Sequence, residues 1–215
     1  MLGGRNSIIM IRIPEIQYIT RDDDRYSHAE QARMAFTSGV EWVQIRMKNS
    51  TLAEIIEQSR LAVSYANSCG GKLIVNDSVD IAREVEAHGI HLGLKDVPVD
   101  EARRILGDDM IIGGTANTLK EVVRQIRRGA DYVGVGPFRY TLTKRNLSPV
   151  LGLDGYSAIV RELDALRIKI PLVAVGGITP EDISALTNVG ITGVAISGGL
   201  FSKLMQNRNS AKTNN

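Results

Sequence analysis

The sequence predicts a single-domain (β/α)₈ barrel of the α/β class. Three observations carry that expectation. Short apolar runs alternate with longer amphipathic segments eight times over. The length of 215 residues suits one domain at the short end of this fold's range. No linker or low-complexity stretch interrupts the alternation. A doubly wound open sheet is the alternative, and it usually has fewer strands. The barrel is expected over 15–205, after an N-terminal extension at 1–14 and before a polar tail at 206–215.

The elements follow in order. Ile16 to Thr20 reads as the first strand, and Ser27 with Glu30 forms a capping box opening a helix that runs to Thr37. Glu41 to Met47 is a second strand. Thr51 and Glu54 repeat the capping pattern before a helix from Leu52 to Asn67. Lys72 to Val75 and Gly89 to Leu92 are strands three and four, each followed by a helix: Val79 to Ala87, then Val99 to Leu106 behind Pro98. Met110 to Gly113 is strand five, with Thr118 and Glu121 opening a helix to about Arg128. Strand six is Asp131 to Val135, followed by a helix from Tyr156 to Leu166. Pro171 to Val175 is strand seven, and Thr179-Pro180-Glu181-Asp182 starts the next helix. Gly193 to Ile196 is strand eight, with a last helix from near Gly199 to Met205.

Composition narrows the function. Apolar content of 43% and charged content of 23% are ordinary for a globular enzyme. The formal charge of +2 rests on Lys203, Arg208 and Lys212 in a stretch without acids, so no broad basic surface for nucleic acid is implied. No apolar run approaches the roughly 20 residues of a membrane span. Cys69 is the only cysteine and reads as a helix-end thiol. The lack of a disulfide and of an apolar leader core at 1–10 fits a cytoplasmic location.

The active site of such a barrel lies at the C-terminal ends of its strands. After strand two, period-2 alternation sets Gln44, Arg46 and Lys48 on one face and Val43, Ile45 and Met47 on the other. The apolar set should meet the helices and the polar set the lumen mouth. An inward Arg–Lys pair is costly without an anion. Strand three ends in Asn76-Asp77, although Asp77 or Ser78 has the alternative of capping the next helix. Strand four ends in His91 and, three residues on, the run Leu94-Lys95-Asp96. Two carboxylates on adjacent strand ends, together with substrate phosphates, are a common Mg²⁺ arrangement.

Strand five leads to Thr115, a candidate ligand group, and to Asn117 and Thr118, candidate caps. Strand six runs into Gly134 to Lys144, with the Thr141 and Thr143 hydroxyls and the cations Arg139 and Lys144. Paired glycines, Gly176-Gly177 and Gly198-Gly199, follow strands seven and eight, where such barrels commonly hold a phosphate on backbone N–H groups. The pattern has two anion centres. A diphosphate would sit on Arg46, Lys48, Asn76, Lys144 and a metal at Asp77/Asp96. A monophosphate would sit on Gly177 and Ser197.

On Gln44 to Lys48, Val75-Asn76-Asp77, Gly89 to Gly93 with Asp96, Gly134 to Lys144 and Ala174 to Ile178, the chain closely resembles the thiamine-phosphate synthase family, from Ile16 to Phe201. The resemblance implies a transferase that joins an aminopyrimidine diphosphate to a plain or carboxylated thiazole phosphate. Diphosphate leaves first, and the thiazole nitrogen captures the resulting cation. It implies that Gln44, Arg46, Lys48, Asn76, Thr115 and Lys144 bind the pyrimidine diphosphate. Arg46, Lys48, Thr115 and Lys144 would act on the reacting groups, and Asp77 and Asp96 would hold Mg²⁺. Thr141, Thr143, Gly177, Ile196 and Ser197 would bind the thiazole phosphate. The partners would be these two phosphorylated small molecules, with neither nucleic acid nor membrane; assembly into a homo-oligomer stays open.

Departures from the family pattern are Thr115 for serine, Arg139-Tyr140 for an apolar residue and proline, and Leu94-Lys95 for a polar–acidic pair. A thiazole tautomerase of the same superfamily is the nearest alternative, but it uses a histidine after strand five, where this chain has Asn117. A non-catalytic phosphate-binding barrel would not need the carboxylate pair.

Overall fold

The computed structural model describes residues 11–140, 149–200 and 202. Thr141, Thr143 and Lys144, with the tail from 203 onward, lie outside the described residues. Eight parallel strands close into a barrel in sequential order. They are β1 (Ile16–Ile19), β2 (Trp42–Ile45), β3 (Lys72–Asn76), β4 (Gly89–Leu92), β5 (Ile111–Ala116), β6 (Tyr132–Val135), β7 (Leu172–Val175) and β8 (Gly193–Ile196). β1 closes on β8 with Ile16 opposite Val194 and Tyr18 opposite Ile196. The helices between them are α1 (His28–Thr37), α2 (Leu52–Cys69), α3 (Val79–Glu84), α4 (Val99–Leu106), α5 (Leu119–Arg127) and α6 (Gly152–Ala165). A 3₁₀ turn at Pro180–Asp182 leads into α7 (Ile183–Asn188). No described helix is long and apolar enough to cross a membrane.

The helix starts behave as their local chemistry dictates. Ser27 with Glu30 and Thr51 with Glu54 form reciprocal capping boxes. Thr118 caps α5 by accepting from Glu121 N–H, while the Glu121 carboxylate takes the Asn117 N–H at 2.8 Å. Cys69 is the last residue of α2 and is exposed.

The core has two layers, divided by strand parity. Val43, Ile45, Val75, Ile90 and Ile112 face the helices, whereas Trp42, Ile74, Ile111, Tyr132, Val173 and Ala195 fill the lumen. Ile11 and Ile13, before β1, pack on this inner cluster. Because Trp42 points inward, alternation puts Gln44 and Arg46 on the lumen side, as the sequence pattern requires.

Two elements differ from the sequence expectation. Strand β5 does not stop at Gly113 but continues through Gly114 and Thr115 to Ala116. Its glycines are there for space: a Cβ on Gly113 would lie 2.2 Å from the Tyr132 ring, and one on Gly114 2.8 Å from Gln125. Helix α6 starts at Gly152 rather than Tyr156. Gly152 and Gly155 have poor helix propensity, but Leu151 N–H bonds to Pro137 O at 2.9 Å and Gly152 N–H to Phe138 O at 3.2 Å. These tertiary bonds to the end of β6 start the helix.

At the opposite, N-terminal end of the barrel a buried ion pair ties α4 to β5 and β6. Asp131, with its side chain 5% exposed, accepts from Arg103 at 2.6 Å and from Ile112 N–H at 2.7 Å. Arg103 also donates to the carbonyls of Gly107 and Met110. Removing one partner strands the other charge away from water. Asp131→Ala is therefore expected to lower unfolding free energy by about 3–5 kcal/mol, measured by urea denaturation at neutral pH.

Candidate active site

The ends of β2, β3 and β4 are neighbours in the sheet, and they gather the polar groups of one sector of the rim. Gln44 is buried at 3% exposure, and Arg46 follows half-buried. At the end of β3, Asp77 has a left-handed backbone with φ 68°. This conformation is uncommon for a side-chain-bearing residue, and Asp is among those that tolerate it. Its N–H bonds to His91 O at 2.9 Å. Ser78, not Asp77, caps α3 by accepting from Ile81 N–H at 3.3 Å. The Asp77 carboxylate is thus left over from helix capping.

That carboxylate meets Asp96. Asp96 folds back on its own loop, accepting from Gly93 N–H at 2.6 Å. A Cβ placed on Gly93 would lie 2.8 Å from Asp96 Oδ2 and 3.9 Å from Asp77 Oδ1, so both carboxylates converge over one small residue. Burial, then the Asp96 carboxylate, push Asp77 up to about 6, against the pull of Lys48 and Arg46. Burial lowers the Arg46 pKa, opposed by Asp77 and Asp22. Two carboxylates of one sign beside two cations form a strongly polarised, partly dry site. Among the described residues no group of three or more His, Cys, Asp or Glu could hold a metal. Two carboxylates fit a hard cation that keeps waters and substrate oxygens as its remaining ligands.

Thr115 sits on β5 beside this sector, and its hydroxyl is paired with His91 Nε2 at 3.0 Å. His91 Nδ1 is 3.1 Å from the Tyr132 hydroxyl, and the two rings stack with centroids 5.5 Å apart. His91 therefore orients Thr115 from below. Asn117 is buried and donates to Gly136 O, an architectural role.

The loop after β1 also joins the site, though strand-end reading passed over it. Thr20 accepts from Arg46 N–H at 3.1 Å and pairs with His28 Nδ1 at 2.7 Å. His28 Nε2 lies 3.2 Å from Asp22, which also accepts from Asn49 at 3.0 Å. These bonds clamp the β1 loop onto the segment carrying Arg46 and Lys48. The available signal was the run Thr20-Arg21-Asp22 at a strand's C-terminal end.

Across the rim, Gly176 and Gly177 have φ of 91° and 71°. Ser197 is half-buried, and the chain is helical from Gly198. A Cβ on Gly198 would lie 3.2 Å from Arg21 Nη1, so a cation from the β1 loop reaches this sector. Ile196 is buried in the helix-facing core, so only its backbone can face a ligand. The rim thus has two sectors: Gln44, Arg46, Lys48, Asn76, Asp77, Asp96 and Thr115 on β2–β5, and Gly177, Ile196 and Ser197 on β7–β8. A separate cavity of about 490 Å³, lined by Ala53, Ile56, Leu61 and the Arg60–Glu84 ion pair, lies on the helical exterior.

Residues 16–200 match the family model described as thiamine monophosphate synthase. The curated thiamine-phosphate synthase of Bacteroides thetaiotaomicron is 48% identical over 189 residues, 86% of this chain and 89% of that protein. The one of Phocaeicola vulgatus is 46% identical over 187 residues, covering 87% and 90%. Among solved structures, thiamine phosphate pyrophosphorylase from Pyrococcus furiosus is similar with a TM-score of 0.76 at 30% identity, covering 87% of each chain.

The raised Asp77 pKa has a signed consequence. The folded state holds this proton more tightly than the usual carboxylate value of 3.8 allows. Its stabilising effect is complete below about pH 4 and is lost as pH rises through about 6. Without divalent cations, Asp77→Asn should raise the melting temperature more at pH 7.5 than at pH 4.5, measured by thermal unfolding in chelator. An equal shift at both values would mean that the Asp77 pKa is not raised in the folded state.

Proposed function

This chain belongs to the thiamine monophosphate synthase family, and on that premise we propose that it joins an aminopyrimidine diphosphate to a thiazole phosphate, giving thiamine phosphate and diphosphate. The observation that carries this reading is the Asp77–Asp96 carboxylate pair beside Arg46 and Lys48 on neighbouring strand ends. A diphosphate leaving group needs this combination of charges.

The methylene C–O bond of the pyrimidine breaks, and diphosphate leaves with the electron pair. The thiazole nitrogen then donates its lone pair to the methylene carbon, forming the C–N bond. The product thiazolium is cationic without any proton transfer, so no general base is required. Arg46 and Lys48 offset the charge that grows on the departing oxygens, with Lys144 assigned the same role from the sequence. Arg46 does so from a half-buried position, where a charge interacts more strongly than in water. Gln44 and Asn76 hydrogen-bond the pyrimidine diphosphate, and Thr115 offers a hydroxyl whose direction is set by His91. Asp77 and Asp96 would hold Mg²⁺, which supplies Lewis-acid neutralisation of the diphosphate when bound. The monophosphate of the thiazole sits on the β7–β8 sector at Gly177, Ile196 and Ser197, with Thr141 and Thr143 assigned alongside. Holding the two substrates on opposite sectors of one rim is a positioning effect.

The isomerase alternative has little support in the side chains. The residue after β5 is Asn117, which lacks a titratable ring and donates to Gly136 O. The retained carboxylate pair and Arg46 also have no use in a reaction without a diphosphate.

Purified protein supplied with Mg²⁺ and both phosphorylated precursors is expected to form thiamine phosphate and diphosphate. Absence of product with either the plain or the carboxylated thiazole phosphate overturns the transferase reading. Asp77→Ala and Asp96→Ala should each lower kcat by about a hundredfold or more and raise the Mg²⁺ concentration needed for half-maximal rate. Since Ser78 caps α3, the Asp77 variant should keep its helical circular dichroism.

A further inference from the structure

Arg139 makes several defined contacts although its side chain is half exposed to solvent. Its guanidinium lies over the Phe138 ring, 4.5 Å from the centroid. Both terminal nitrogens donate to the Asp182 carboxylate, each to a different oxygen. Nη1 also donates to Gly177 O at 3.0 Å, and the Arg139 backbone N–H to Gly176 O at 2.9 Å. Asp182 in turn accepts from Thr179 N–H at 2.9 Å and from the Thr179 hydroxyl at 3.1 Å.

These contacts act on two consecutive peptide planes. In a trans peptide the C=O of one residue and the N–H of the next point in opposite directions. Arg139 holds the carbonyls of Gly176 and Gly177 on its own side, so the N–H groups of Gly177 and Ile178 face the other way. Neither N–H has a hydrogen-bond partner among the described residues. Successive free N–H groups turned to one side form an anion-binding concavity. Positive φ at both glycines leaves this backbone little intrinsic preference, so something outside it must select the orientation.

We propose that Arg139 is a positioning residue for the monophosphate sector: its fork, locked by Asp182 and Phe138, sets the Gly177–Ile178 peptide while its backbone N–H holds Gly176 O, so that the Gly177 and Ile178 N–H groups receive the thiazole phosphate. This rests on the assignment of the β7–β8 sector to that substrate. Arg139 does not itself bind the phosphate, because Asp182 neutralises it and occupies both terminal nitrogens. A lysine cannot replace it, since one ammonium cannot span two carboxylate oxygens and a carbonyl in a fixed plane.

Steady-state kinetics of wild type, Arg139→Met, Arg139→Lys and Asp182→Asn test the proposal, with thermal unfolding to register any loss of fold. Arg139→Met is expected to raise KM for the thiazole phosphate about tenfold and leave KM for the pyrimidine diphosphate within about twofold. Arg139→Lys should recover only part of the loss, and Asp182→Asn should weaken the same substrate. An unchanged thiazole KM overturns the proposal. So does a parallel rise in both KM values, which marks general loosening, or tighter thiazole binding in Asp182→Asn, which marks Arg139 as a direct ligand. Calorimetric titration of thiazole phosphate into wild type and Arg139→Met reads the same effect without turnover. Inactive wild type that still shows the tenfold difference in binding would sink the transferase reading and leave Arg139 in its role.

Discussion

Tyr132 shares the lumen of this barrel with Trp42, Ile74, Ile111, Val173 and Ala195, and the way its ring is accommodated bears on the rim above. Its hydroxyl approaches His91, and its ring stacks there and meets Trp42 edge-on at 5.8 Å. A ring of this size fits only because Gly113 beside it has no side chain. Gly134 makes the matching allowance for His91, whose ring would lie 2.7 Å from a Cβ there. Close packing of this kind transmits shape. Tyr132 supports His91, and His91 aims the Thr115 hydroxyl at the floor of the site. A methyl group on either glycine would therefore be felt at the site as well as in the core.

Above that floor the rim separates its charges by sector. Around β2 to β4, the Asp77 and Asp96 carboxylates and Arg46 sit in partial burial, with the exposed Lys48 beside them. Across the opening, charge is supplied chiefly by backbone. Among the described residues the Gly177 and Ile178 N–H groups have no partner, while the nearby guanidinium of Arg139 is cancelled by Asp182. On the proposed reading, the departing diphosphate meets charged side chains. On the same reading, the monophosphate that stays on its substrate meets a milder cradle of backbone N–H groups. The arrangement suits one leaving group and one anchor.

Parts of this were legible in the chain. Val43, Ile45 and Met47 pack toward the helices as the alternation requires, because period 2 is a property of the strand itself, whereas Lys48 lies beyond the end of β2 and is exposed. Ser27, Thr51 and Thr118 read as caps because a cap bonds within three residues. Glycine misled at Gly113-Gly114 and at Gly152 to Gly155. In the first case it makes room for Tyr132 and Gln125 inside a strand, and in the second tertiary bonds from Pro137 and Phe138 start a helix that propensity alone would delay.

What the sequence by itself determined is the eightfold alternation, hence the barrel, and the residues that stand at each strand's C-terminal end. Both follow from interactions spanning a few residues. What only the tertiary structure decided is which of those residues act on one another. Asp77 is free for Asp96 because Ser78 took the cap. Thr115 is held by His91, Arg46 is braced through Thr20 and His28, and Arg139 reaches Asp182, 43 residues away. Such pairings depend on closure of β1 against β8 and on the depth of each side chain in the lumen. No local pattern encodes them.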